Sequence, residues 1–243
     1  MNEKKSTSVS IIIPVYNESE NIEYAVTQTS TYLKNNFKDF EIVIVESGSS
    51  DNSSTICDQL KEKFSLKNII IKVHHEGAKK GYGSAIKCGF QIASKDMALI
   101  MAPDMPFPIE KLRPAVEAYE NRSDKKVPLA ILSYRNIDDR SRRRKIQSFV
   151  FNLLTKLILG LKVKVVNSAF KLLPKEVYKN INITACGWLV DANIVYHLQQ
   201  LKIKFIELPV PLIERARGKS SITFLSIFSM LLELINFRLK TKK

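Results

Sequence analysis

Cysteine is scarce. Cys57, Cys88 and Cys186 are the only three in 243 residues. An odd, widely spaced set makes neither a disulfide framework nor a metal cluster, and a reducing, cytoplasmic compartment is the expectation. Histidine is equally thin: His74 and His75 are adjacent, His197 is far away, and no zinc spacing results. No G-x-G-x-x-G follows the first apolar run, so a dinucleotide-binding reading fails, and the lack of a P-loop argues against an NTPase. The nucleophile elbow G-x-S-x-G of a hydrolase is missing too. No stretch reaches the roughly 18 to 20 uncharged apolar residues that span a bilayer. The start, MNEKKSTSVS, is polar and carries no apolar signal region. There is no internal repeat, no low-complexity linker and no obvious domain boundary, so one domain is expected.

Acidic residues are short in one half only. Residues 1–120 hold 14 Lys and Arg against 16 Asp and Glu, whereas residues 121–243 hold 24 against 8. The second half therefore faces something anionic, a phosphate or an acidic membrane surface, unless it is a solvated basic face. Nucleic acid would match the net charge of +14, but no binding motif is present and the acids described below have no place in that reading.

What is present is a regular alternation. VSIIIPV (9–15) is a continuous apolar, β-branched run typical of a strand buried on both faces, and EIVIV (41–45), NIIIKVH (68–74) and DMALIM (96–101) read as a second, third and fourth strand. Helical patterns separate them: Ile22, Ala25, Val26, Thr29, Tyr32 and Leu33 share a face, a helix is expected over 53–64, and Ala85, Ile86, Gly89, Phe90 and Ala93 align. This order predicts a parallel sheet covered by helices, whose ligands bind beyond the carboxyl ends of the strands. Each such end carries polar residues: Tyr16-Asn17-Glu18, Glu46-Ser47-Gly48-Ser49, Lys79-Lys80-Gly81 and Asp104. Acids beside amides and lysines suit a sugar nucleotide.

The second half is less regular. VPLAILS (127–133) reads as a strand ending at Tyr134-Arg135, and KVVNSAFKLLP as strand-like. RSRRRK (140–145) precedes an amphipathic helix with Ile146, Phe149, Val150, Leu153, Leu154, Leu157 and Ile158 on one face. A helix is expected from Trp188 to Leu201, a strand over 202–210, and a loop at ERARGKSS (214–221). FLSIFSMLLELINFRL (224–239) with the tail KTKK reads as an amphipathic helix that lies on an anionic membrane or packs on its own domain.

Seven segments, VSIIIPVYNESENI, EIVIVESGSSDNS, KKGYGSAIKCGF, MAPDMPFP, NSAFKLL, GWLVD and ERARGKSS, occur in the order and approximate spacing of family 2 glycosyltransferases. The chain resembles that family from Val9 to about Ser221, and within it the polyprenyl-phosphate (dolichyl-phosphate) mannose and glucose synthases. The resemblance implies an α/β GT-A fold, a mostly parallel central sheet with helices on both faces. It divides the chain into a catalytic domain over 1–221, with a nucleotide-sugar half (1–120) and an acceptor half (121–221), followed by the terminal helix and tail (222–243).

The resemblance also distributes roles. Pro14, Tyr16, Asn17 and Glu18 match the first-strand motif that meets the nucleotide, although Glu18 equally complements a helix dipole. Glu46 stands where the family has the first of two ribose- or base-binding aspartates, and Ser47 replaces the second. Lys80 and Gly81 match a loop closing near the donor, or simply a helix entry. Relatives carry Asp-x-Asp with a further polar ligand for Mg²⁺ or Mn²⁺; here those positions read Ala102, Asp104 and Pro106. Asp104 is left as metal ligand and catalytic residue, unless it only forms the turn. One carboxylate can hold such a cation when substrate phosphates and waters complete the shell. Arg135, Arg215, Arg217 and Lys219 are candidates to neutralise phosphate charge. Arg143, Arg144, Ser168 and Ser220 complete the acceptor and phosphate set, and Asp191 in GWLVD is the candidate base for a hydroxyl acceptor. Asn167 and Ala169 depart from the family pattern around Ser168.

The implied activity is inverting transfer of mannose or glucose from a GDP- or UDP-sugar to a polyprenyl phosphate at the cytoplasmic face of a membrane. A membrane-anchoring subunit is a further expected partner. Two alternatives stand beside it: another glycan or lipid acceptor, and a nucleotide-sugar-binding subunit that lost catalysis with Ala102 and Ser47.

Overall fold

The computed structural model describes residues 3–135, 142–185, 187, 189–212 and 224–241, with the side chains of 143, 144, 224–231 and 240 excepted. Its strands are β1 (Val9–Val15), β2 (Phe40–Glu46), β3 (Ile71–His75), β4 (Met97–Ile100), β5 (Leu129–Tyr134), β6 (Lys171–Pro174) and β7 (Lys204–Pro209). They form one sheet in the order β3-β2-β1-β4-β6-β5-β7. All pairings are parallel except those of β6, which runs against β4 and β5. The amino end of β6 therefore lies at the same edge as the carboxyl ends of the others.

The helices are α1 (Ile22–Asn36), α2 (Ser53–Ser65), α3 (Tyr82–Ile92), α4 (Leu112–Glu120), α5 (Arg142–Leu159), α6 (Lys175–Tyr178), α7 (Val190–Gln200) and α8 (Phe224–Thr241). Successive side chains of a strand point to opposite faces, and β1 is apolar on both, so it feeds two cores. Val9, Ile11, Ile13 and Val15 join a cluster with Ile22 and Val26 of α1, Leu60 of α2 and Val116 of α4. Ile12 joins the other, with Ile86 and Phe90 of α3, Ile194 of α7, and Leu234 and Phe237 of α8. Burying each such Ile or Leu stabilises by about 1.5–3 kcal/mol.

Three sequence expectations differ from the structure. Helix α4 was not anticipated, because Pro106, Pro108 and Pro114 punctuate that region; Pro114 is the third helical residue, in the first turn, where a missing N–H costs nothing. The strand-like reading of 164–174 holds only for β6, and the chain before it is irregular. The apolar residues of α5 do not share one face. Phe151, Leu154 and Ile158 pack inward, while Ile146, Phe149, Val150, Leu153 and Leu157 are exposed.

Candidate active site

β1 and β2 end side by side, with Val15 opposite Glu46. Pro14 is buried within β1, and Tyr16 emerges beyond it under Lys79, whose ammonium sits 4.1 Å from the ring centroid. Asn17 adopts a left-handed φ of 54°. Its N–H donates to Ser49 Oγ at 3.0 Å and its Oδ1 accepts from the Ser50 N–H at 2.8 Å, so the two strand-end loops are tied together. The Glu18 N–H donates to Ser53 Oγ, and its carboxylate accepts from Asn21 Nδ2 at 2.7 Å. Asp51 fastens the same junction by accepting from the N–H groups of Ser19 and Ser53. Burial opposes its ionisation, but the bonds from Ser53 and Ser19 outweigh that and lower its pKa.

Glu46 does not face solvent: it is 2 % exposed. Its Oε1 accepts the Ser49 N–H at 2.5 Å and its Oε2 lies 3.1 Å from His75 Nδ1. Burial pushes its pKa up, and the bonds from Ser49, His75 and Gly48 more than reverse that. Ser47 donates to Glu76 Oε2 at 2.6 Å, and Ser84 donates to the other oxygen, pinning the start of α3 to the end of β2. Lys80 is exposed in the intervening loop, and Gly81 opens α3 with φ of 94°, which favours glycine.

On the other side of β1, Met101 N–H bonds to Ile12 O and the chain turns at 102–105, with the Met105 N–H on Ala102 O. Asp104, half-buried, sits in this turn. Tyr82, the first residue of α3, connects it to the second half. The residue is 43 % exposed, and burial of its hydroxyl, then the charges of Asp191 and Asp104, push that group above its ordinary value. The three groups are thus electrostatic neighbours. Gly83 makes this approach possible: a Cβ there would meet the Ala185 carbonyl oxygen at 1.8 Å, so α3 packs directly on the chain leading into α7.

Asp191, in the first turn of α7, is held by Lys171 Nζ at 2.7 Å. Lys171, at the start of β6, is 1 % exposed and also donates to the carbonyl of the buried Ser168. Arg135 follows β5 and donates to Ser148 Oγ of α5 at 3.1 Å and to Asn167 O at 3.2 Å. Asn152 of α5 reinforces the link through Asn167 Oδ1 at 2.9 Å. The strand-end site therefore abuts α5 directly.

Structure thus gathers Tyr16, Asn17, Glu18, Glu46 and Ser47 at one end of the edge. It groups Asp104, Tyr82 and Asp191 further along, and Arg135, Ser148 and Ser168 beyond. Arg215, Arg217, Lys219 and Ser220 lie outside the described residues, as do the side chains of Arg143 and Arg144. Tyr82, Ser148 and Lys171 were not singled out from sequence, and His75 was weighed only as a zinc ligand. A lysine inside the apolar run FKLL was the one available signal, since lysine is almost never fully buried unless paired. Among the described residues no three His, Cys, Asp or Glu side chains form a metal-binding group. Asp104 by itself fits a cation shared with a diphosphate, not one held by protein alone.

The chain is similar to the dolichol-phosphate mannosyltransferase of Pyrococcus furiosus, with 28% identity over 226 residues, 92% of this chain and 61% of that protein. It is 24% identical to the glycosyltransferase AglD of Haloferax volcanii, over 83% of this chain and 32% of the relative. The chain thus spans about three fifths and one third of the lengths of these two relatives. Among solved structures it superposes on a mannosyltransferase from Pyrobaculum calidifontis in complex with GDP-Man and Mn²⁺, with a TM-score of 0.69 and 16% identity, covering 97% of this chain and 65% of that one. The glucosyl-3-phosphoglycerate synthase of Mycobacterium tuberculosis superposes with a TM-score of 0.63 and 16% identity, over 94% and 78%. These likenesses establish the GT-A fold. Residues 10–181 match the model of glycosyl transferase family 2, and the chain belongs to that family.

Proposed function

We propose that the chain is an inverting hexosyltransferase moving mannose or glucose from a GDP- or UDP-sugar to a polyprenyl phosphate, working at the cytoplasmic face of a membrane. The observation that carries the acceptor reading is the contact between Arg135 and Ser148. It joins a strand-end cation to α5, whose neighbouring Phe149 begins an exposed apolar stripe through Val150, Leu153 and Leu157. A phosphate on an apolar tail needs that pairing. Exposed Leu232, Ile235 and Leu239 of α8 extend the apolar surface, and exposed Arg142 and Lys145 add positive charge at its end. The association proposed is peripheral, directly with lipid or through an anchoring subunit; among the described residues no helix is long and apolar enough to cross a membrane.

A lipid monophosphate is largely a dianion at neutral pH, its second pKa being near ~6. It attacks the anomeric carbon as its new O–C bond forms. The bond to the nucleoside diphosphate breaks on the opposite face, and its electron pair leaves on the diphosphate oxygen. Little base catalysis is required, so positioning and charge neutralisation carry the rate. Arg135 orients the acceptor phosphate; Tyr16, Asn17 and Glu18, with the Glu46 turn beneath, receive the nucleoside. Mg²⁺ or Mn²⁺, held by Asp104 and diphosphate oxygens, would supply positive charge to the leaving group. Asp191, oriented by Lys171, is the feature that favours a second reading, a hydroxyl acceptor needing a base.

Calorimetric titration with UDP and GDP, each with and without Mn²⁺, tests the donor half on wild type and Asp104→Ala. We expect Mn²⁺-dependent binding that falls at least ~tenfold in the variant, the effect of losing about 1.4 kcal/mol. Binding indifferent to both changes would make Asp104 a turn residue. Transfer to a polyprenyl phosphate, but not to a glycan hydroxyl, would separate the two acceptor readings.

A further inference from the structure

His75 is unused by the reaction outlined above, yet both of its ring nitrogens face carboxylates. It ends β3 directly opposite Glu46 in the parallel register, so the two side chains emerge on the same face, towards α2. Nδ1 lies 3.1 Å from Glu46 Oε2 and 3.3 Å from Ser54 Oγ, and Nε2 lies 3.1 Å from Asp58 Oδ1. The other charged groups at this junction are acidic as well: Asp51 at the start of α2 and Glu76, next in sequence. Cys57 reports the convergence, its thiol being pushed up to about 12 by burial and then by Glu46, Asp58 and Asp51. Among the described residues no Lys or Arg forms an ion pair with Glu46 or Asp58. Once protonated, His75 places a positive charge between these two acids.

We infer that His75 is a positioning residue of the nucleoside pocket, a proton-dependent clamp on Glu46 that couples donor binding to pH. This rests on the donor reading proposed above. A neutral imidazole has one N–H and serves one carboxylate, whereas the imidazolium serves both. Glu46, almost without solvent contact, cannot replace a lost donor with water. Its other oxygen holds the Ser49 N–H, and Ser49 and Ser50 hold Asn17. The chain His75–Glu46–Ser49–Asn17 therefore carries the histidine's charge state to both strand-end loops.

Hydrogen bonds to Glu46 and Asp58 raise the His75 pKa above 6.5 against the opposing effect of burial. A raised pKa means the clamp is complete below the ordinary histidine value and is lost as pH rises through the folded one. Nucleotide affinity follows the same direction, since the charged form is also the better neighbour for an anion.

The test pairs histidine titration by NMR with calorimetry of UDP and GDP from pH 6.5 to 9, on wild type, His75→Gln and Asp58→Asn. Comparison with His75→Gln cancels the nucleotide's own titration. We expect wild-type affinity to fall with pH, by up to ~tenfold per unit for a single linked proton. The histidine-dependent part of the profile should vanish in His75→Gln, leaving only the nucleotide's own titration, and move to lower pH in Asp58→Asn, in step with the imidazole resonance. Nucleotide binding with the same pH profile in all three proteins overturns the clamp and leaves the donor reading intact. Folded wild type that binds neither nucleotide at any pH overturns both. If His75→Gln does not fold, Asp58→Asn alone decides: a shifted imidazole pKa with an unmoved affinity profile refutes the inference.

Discussion

Lys171 Nζ and Asp191 Oδ1 lie 2.7 Å apart and join the first residue of β6 to the first turn of α7. The pair is lopsided: the lysine side chain is 1 % exposed and the aspartate 26 %. Removing the aspartate strands a buried ammonium, whereas removing the lysine leaves a carboxylate that water can still reach. Asp191→Asn is expected to cost about 3–5 kcal/mol and Lys171→Met less than that. The double variant should recover much of the loss, because the buried charge goes with its partner. Urea unfolding of the four proteins measures this, and equal costs for the two single variants would contradict the lopsided account.

Acid should unfold the protein partly through Glu41. This buried carboxylate accepts from Ser10, from Ser94 through both N–H and hydroxyl, and pairs with Lys72 at 2.8 Å. Burial raises its pKa, but Lys72, Ser10 and Ser94 lower it further, to a net value below 4.5. A depressed pKa contributes stability above the unfolded value that is lost as pH falls through the folded one. Tm should therefore hold from neutrality to about pH 5 and fall below 4.5. Glu41→Gln should lower the neutral Tm, by about 2–4 °C per kcal/mol lost, and shallow the acid limb. An unchanged acid limb would assign the loss to other carboxylates.

The outer stripe of α5 should matter for lipid and not for folding. Phe149 and Leu157 are 67 % and 72 % exposed. Replacing both with Ser should change stability by less than about 0.5 kcal/mol each. Co-sedimentation with phosphatidylglycerol vesicles should drop at least ~tenfold, because each side chain contributes about 1.5–3 kcal/mol when buried. Raising salt should weaken binding of the wild type further by screening Arg142 and Lys145. Unaltered vesicle binding in the double variant would move the docking surface elsewhere.

Much of the donor side was legible in the chain, and the reason is local. The runs at 9–15 and 41–45 are rich in β-branched residues and 96–101 is apolar after Asp96, a pattern that suits strands covered on both faces, and β1, β2 and β4 occupy them. The polar residues after each run mark the carboxyl ends, where Tyr16, Asn17, Glu18 and Glu46 are found together. Helix α4 was obscured because prolines normally interrupt structure, and only its register showed Pro114 to fall in the first turn. The two-sided apolar character of α5 was obscured because periodicity shows which residues are apolar, not how many surfaces receive them.

The alternation of strands and helices, the burial of strand faces and the identity of the polar residues that cap them all follow from side-chain spacing over a few residues. What those polar residues do follows from long-range packing. Glu46 is turned inward to His75, whose other nitrogen meets Asp58, Tyr82 senses Asp104 and Asp191, and Lys171 is paired with a helix 20 positions away. Such pairings depend on strand register, on the reversed direction of β6 and on the close approach that Gly83 permits. A charge buried without a partner costs several kcal/mol, so these long-range placements, invisible to any local pattern, decide which acids are clamped and which remain at the site.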